Sequence, residues 1–170
     1  MAMSDRNKHR VGMRKVVRVT PTLETSEYAT NDVMINSTEI PDAAAYNGGC
    51  GKLIGFGFID YSDQTLLDFN IRFTTKQQNF GARNSAVSIS DPDLRTAGLC
   101  GHYIVDSSTF DVDNVGSQSV TYVNTSSTQV GPILLQADTN STSAYFTIEL
   151  TSSAITYSAD DLEFFFMIEY

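Results

Sequence analysis

The sequence predicts an all-β fold: a β-sandwich or jelly-roll-like barrel with an extended basic N-terminal arm. Three observations predict it. Ser, Thr, Asn and Asp are plentiful while Lys and Glu are few; helices need Glu, Lys, Ala and Leu on their solvated faces, whereas Thr and Ser suit strands and turns. Short β-branched and aromatic runs recur at about 10–15-residue spacing, separated by turn clusters. One run, Leu67 to Thr75, alternates without a break. At 170 residues and 41% hydrophobic content, the chain holds one domain with a sizeable core, or a domain plus a short arm. Such a composition excludes wholesale disorder.

Taken in order, Met1 to about Gly12 is polar, basic and aperiodic, and is expected to be mobile when free. Lys15 to Thr20 (KVVRVT) has the β-branched enrichment of a strand, which Pro21 stops or confines to an edge. Asp32 to Ile35 is a short extended candidate. Asn47-Gly48-Gly49 is a turn, because glycine reaches positive φ without steric cost. Lys52 to Tyr61 (KLIGFGFIDY) reads as a strand in which Gly55 and Gly57 alternate with Phe56 and Phe58. That spacing puts both glycines on one face, where another element can approach closely. After a turn at Ser62-Asp63-Gln64 the chain returns through Leu67 to Thr75. There Leu67, Phe69, Ile71 and Phe73 face one way and Asp68, Asn70 and Arg72 the other.

A polar loop from Asn79 to Asn84 and a short strand at Ala86 to Ile89 follow. Ser90-Asp91-Pro92 is a helix start, with a capping residue ahead of Pro, and the helix ends at Gly98. The remaining expected strands are His102–Val105, Ser119–Val123, Ile133–Gln136, Ala144–Leu150, Ala154–Tyr157 and Leu162–Tyr170. Turns at Asn124 to Ser127 and Asp138 to Ser143 divide them. The run Phe164-Phe165-Phe166-Met167-Ile168 lacks in/out alternation, so it is expected to be buried on both faces, either in the core and at a subunit contact or as a central core strand of a monomer.

Charge is distributed unevenly. Arg6, Lys8, Arg10, Arg14, Lys15 and Arg18 stand against Asp5 alone in the first twenty residues, giving +5 and leaving −14 for residues 21–170 of a chain whose net charge is −9. From Thr96 to Tyr170 there are nine carboxylates and no Lys or Arg. A basic leader on an acidic body implies an arm that seeks a negative partner and a body that repels its neighbours. Domains are accordingly drawn as a 1–20 arm and a 21–170 body. The arm residues Arg6, Lys8, Arg10, Arg14 and Lys15 to Val19 (Val16, Val17 and Arg18 between) are the expected docking site. Basic and β-prone, this segment suits ordering on an acidic protein surface and adding a strand to it; phosphate neutralisation on nucleic acid is the less favoured use.

Catalytic equipment is thin. His9 lies in the arm and His102 has no G-x-S-x-G elbow beside it, so a Ser–His–acid site is not expected. Cys50, Cys100 and His102 are potential zinc ligands, but the spacing lacks a Cys-x-x-Cys pair and a fourth ligand. Both cysteines sit beside glycines and are read as core thiols, with a disulfide as the alternative. The acidic pairs Asp60/Asp63, Asp91/Asp93, Asp111/Asp113 and Asp160/Asp161 match no EF-hand spacing and read as solvated loop carboxylates. No Walker A or dinucleotide fingerprint is present. No secretory signal and no apolar run of about eighteen residues is seen, which predicts a protein made in the cytoplasm that stays soluble. No cofactor, metal or enzymatic activity is expected.

The segment opening at Val17, VRVTPTLETSEYATNDVMINSTEI, followed by the Gly-rich turn and LIGFGFIDYSDQ, resembles small tailed-bacteriophage virion proteins whose domain opens with V-x-P-T-L-x-T-S/A-x-Y-A-x-x-D-V. The Leu/Phe-alternating strand, the Ser-Asp-x-Asp helix and the aromatic last strand extend the resemblance over most of residues 17–170. It implies a capsid decoration (cement) or other head-associated β-protein, often trimeric, bound to the major capsid protein on the outside of the head. The basic arm departs from the shorter N-termini of that group. A jelly-roll coat protein with a nucleic-acid-binding arm and a fibre module recognising a host glycan are the alternatives.

Overall fold

The computed structural model describes residues 12–62, 67–109, 112–123, 132–152 and 154–170. Through them run the strands β1 (Arg14–Val19), β2 (Val33–Ile40), β3 (Cys50–Asp60), β4 (Phe69–Thr74), β5 (Leu99–Val105), β6 (Val112–Val115), β7 (Gln118–Val123), β8 (Ile133–Gln136), β9 (Ala144–Leu150) and β10 (Leu162–Glu169), with one short helix, α1 (Asp91–Ala97). They form two antiparallel sheets packed face to face, an all-β sandwich. One sheet has six strands in the order β1-β10-β3-β7-β6, with β8 also paired to β3; the other has four, in the order β2-β9-β4-β5. β10 takes one side of β3, so β7 and β8 share its other side, at Phe56–Asp60 and Cys50–Leu53 respectively.

The core follows from alternation. Leu67, Phe69, Ile71 and Phe73 are buried as the period-2 pattern predicts. Phe56 and Phe58 of β3, Phe164 and Phe166 of β10 and Phe146 of β9 meet them between the sheets. Most of their ring pairs are edge-on or tilted, Phe58–Phe69 at 5.4 Å and Phe146–Phe166 at 5.0 Å between centroids, while Phe164 and Phe166 are stacked. At one margin β5 and β8 come close: a Cβ on Gly101 would stand 3.0 Å from the Ile133 side chain.

Several expectations shift. β10 alternates after all: Phe164, Phe166 and Ile168 are fully buried, while Phe165 and Met167 are half-buried on the outer face. An aromatic side chain is bulky enough to satisfy either face, so the run of three Phe hid the period. Residues 86–89 and 154–157 form no strands; Ala86 and Ile155 each make a single bridge, to Asp32 and Tyr28. β6 is an addition, a short exposed hairpin arm closed on β7 across Gly116 at φ 73°. Helix α1 starts and stops as expected, with Ser90 Oγ accepting from the Asp93 amide and Gly98 left-handed at its end. Arg6, Lys8, His9, Arg10, Asp63, Asp111 and the 124–127 turn lie outside the described residues.

Candidate functional site

The basic residues of the N-terminal segment divide. Arg14, Lys15 and Arg18 belong to β1, which pairs along its length with β10 in the register Arg14↔Glu169 to Val19↔Phe164. A boundary at residue 20 therefore falls after the first strand of the sandwich. Val17 is buried in the core, and the basic side chains are held by acids of the body. Arg14 Nε lies 3.2 Å from Glu169 Oε1, Lys15 Nζ 2.7 Å from Asp42 Oδ2, and Arg18 donates to Glu163. The Arg14 hydrogen bond holds the Glu169 carboxyl below its ordinary range, and Glu163 raises the Arg18 guanidinium in turn. All of these groups are solvent-facing, so the pairs fix register more than they add stability.

Among the described residues β1 has no strand on its other side. The ladder says which groups it leaves open. Tyr170 N donates to the Met13 carbonyl and Tyr61 N to the Asp161 carbonyl. In an antiparallel sheet hydrogen-bonded pairs alternate, so Lys15, Val17 and Val19 bond β10. The amides and carbonyls of Arg14, Val16 and Arg18 face outward. An edge of this kind is a template for another strand.

The same alternation places the side chains of Arg14, Val16 and Arg18 on the outer face of the six-stranded sheet. Beside them lie Phe165 and Met167, then Gly55 and Gly57 of β3, then Tyr122 of β7. The glycine spacing that promised a close approach is used by side chains of the sheet itself. A Cβ on Gly57 would run into the Phe165 ring and the Thr121 carbonyl, and one on Gly55 would stand 2.8 Å from Tyr122 Oη. The Arg18 guanidinium lies over Phe165, 5.9 Å from the ring centroid. The result is a flat face. Of the expected contact residues, Phe165 and Met167 reach it; Phe164, Phe166 and Ile168 are buried in the core.

The residues weighed for other chemistry are dispersed. Cys50 is exposed, which corrects its reading as a core thiol, and Cys100 is half-buried; both are free thiols. Cys100 Sγ lies 3.4 Å from Thr75 Oγ1. His102 sits exposed within β5, opposite Arg72. The carboxylates have structural work. Buried Asp60 accepts from Tyr157 Oη at 2.8 Å and from the Ser62 amide and hydroxyl, while Asp93 accepts from the Ser90 hydroxyl at the start of α1 and Asp161 from the Ser158 amide. No group of three His, Cys, Asp or Glu side chains comes together among the described residues, and no helix there is long and apolar enough to cross a membrane.

A polar groove of about 760 Å³ lies elsewhere, between the chain leaving β1 (Thr20 to Glu24), the irregular middle of β2 and residues 77–83. Asn36 fastens its floor: Nδ2 donates to Asn79 Oδ1 and the Gly81 carbonyl, and Oδ1 accepts from the Ser37 and Phe80 amides. Glu24 and Arg83 pair at 3.2 Å along its wall. The sequence gives no warning of this groove, because amide and hydroxyl residues in loops are common and only the register shifts of β2 bring these together.

Comparison with models of known protein families gives no match, and comparison with curated proteins gives none either.

Proposed function

We propose that the chain is a non-enzymatic virion structural protein, a capsid decoration (cement) protein that attaches to the major capsid protein on the outside of a phage head through its N-terminal edge. The observation that supports this most is the open edge of β1. Among the described residues it offers unpaired amides and carbonyls at Arg14, Val16 and Arg18, and it continues in sequence from the basic residues Arg6, Lys8 and Arg10. A capsid strand laid along this edge gains main-chain hydrogen bonds, and the basic leader draws it to an acidic surface. The acidic remainder of the body then faces solvent and resists unspecific association.

The test is co-sedimentation with empty, undecorated heads of the virus that encodes the chain, with DNA and RNA as parallel ligands. Full-length protein is expected to bind heads saturably and nucleic acid weakly, and removal of residues 1–11 to weaken head binding. That truncation keeps β1, whereas cutting at residue 20 would strip a strand from the sheet. Steep, salt-sensitive nucleic-acid binding would instead mark a coat protein with a genome-binding arm. A second reading, a fibre module for host glycans, is favoured by the polar groove alone; it predicts glycan-array binding that Gln78→Ala abolishes.

A further inference from the structure

Five of the large apolar side chains that remain exposed lie on one surface, the outer face of the six-stranded sheet. Val16 is 54% exposed, Tyr122 45%, Leu134 55%, Val115 54% and Tyr61 44%. Register sets them in rows across that face. Val16 lies opposite Met167, Tyr122 opposite Gly57, Leu134 opposite Lys52 and Val115 opposite Gln118. Tyr61 donates to Glu163, which holds its phenol proton above the ordinary range. Half-buried Phe165 and Met167 fill the middle, lying down over Gly55 and Gly57. Exposed apolar surface gathered on one sheet face marks an interaction site.

Charge identifies the occupant. Among the described residues the face carries Arg14, Arg18 and Lys52 against Glu163, Glu169 and Asp113, which cancel. The whole chain carries −9. This is thus a neutral, apolar surface on an acidic molecule, where two copies can meet without the repulsion that the rest of the body imposes. All of these charges except Asp113, on exposed β6 at the margin, are paired within the face, as Arg14 with Glu169, Lys52 with Glu169, and Arg18 with Glu163. An approaching copy does not strand them. Size agrees as well. Five strands at about 4.8 Å spacing and, from the row of Lys52 to that of Tyr61, about nine residues of about 3.3 Å each span roughly 24 by 30 Å. That footprint is of the order required for the ~800 Å² of accessible surface per partner in a standard interface.

We infer that the outer face of the six-stranded sheet packs against a second copy of this chain. Side chains make this contact, whereas the β1 edge offers its backbone sideways, so one molecule can use both. The inference deepens the reading above, but its test needs no capsid, so the two can fail separately.

Sedimentation equilibrium of the full-length protein over a wide concentration range reads it directly. Wild type is expected to form an assembly of two or more copies. Tyr122→Glu and Val16→Glu, both at exposed positions that spare the core, should each weaken association by about tenfold or more. Ile104→Glu, an equally exposed apolar position on the other sheet, should leave the mass unchanged; circular dichroism checks that all three variants fold. A monomer at every concentration would overturn the inference. So would an assembly that ignores Tyr122→Glu and Val16→Glu, or one that Ile104→Glu disrupts as much.

Discussion

Single residues decide how the sheets fit. Gly57 has no room for a methyl group between the Phe165 ring and the Thr121 carbonyl, and the carbonyl belongs to the neighbouring strand. Gly57→Ala is therefore expected to lower unfolding free energy by about 1–3 kcal/mol in denaturant titration, as overpacking does elsewhere. Tyr157 is a second such point. Its hydroxyl is the buried partner of Asp60, so Tyr157→Phe leaves a buried carboxylate short of a donor and should cost about 1–3 kcal/mol. Burial, and then the Asp60 charge, raises the Tyr157 phenol above its ordinary value, and burial raises Tyr28 likewise. With folded values raised, the neutral phenols contribute stability that is whole below the unfolded value of about 10 and falls as pH rises beyond it. Thermal melts should accordingly drop above about pH 10, and the gap between wild type and Tyr157→Phe should narrow there. A gap that stays constant with pH would remove Tyr157 from the explanation. The sequence could not signal this pair. Asp60 and Tyr157 are far apart in the chain, and an acidic residue at a strand end reads as solvated until the fold buries it.

At the scale of elements, β1 carries the functional argument, and proline separates its two sides. Val17 gives its amide to β10 and its side chain to the core, so Val17→Pro should destabilise the protein by about 3 kcal/mol or more. Val16 points its amide at the outer edge, where proline removes a donor that no described residue uses. Val16→Pro is expected to melt close to wild type while losing head binding; equal melting losses in the two variants would refute the assigned register. Strands with clean alternation are legible in the sequence, as β4 and β9 show, and the short apolar run of β8 also lies where it is expected. Ala86 to Ile89 and Ala154 to Tyr157 failed because β-branched residues beside a turn look the same whether they form a ladder or a single bridge. β6 was missed because Val-Asp-Asn-Val is short and exposed, and only its hairpin partner makes it a strand. β1 itself was visible as a basic, β-prone edge, but its place beside the last strand of the same chain was not, since local sequence carries no information on pairing between chain ends.

The whole molecule combines an acidic body, a neutral apolar sheet face and a β1 edge that continues from a basic leader. Together these features suit a protein that assembles with its own copies and is captured by a larger acidic surface, and the second of these is the central claim. Hydrogen exchange of the peptide spanning residues 12–20, on heads and in free solution, tests it most directly. In the free protein the amides of Lys15, Val17 and Val19 should be protected and those of Arg14, Val16 and Arg18 should exchange fast. On heads the second set should become protected as well, because a capsid strand now accepts from them. Unchanged exchange at Arg14, Val16 and Arg18 while the protein is head-bound would contradict the account and place the attachment elsewhere on the molecule.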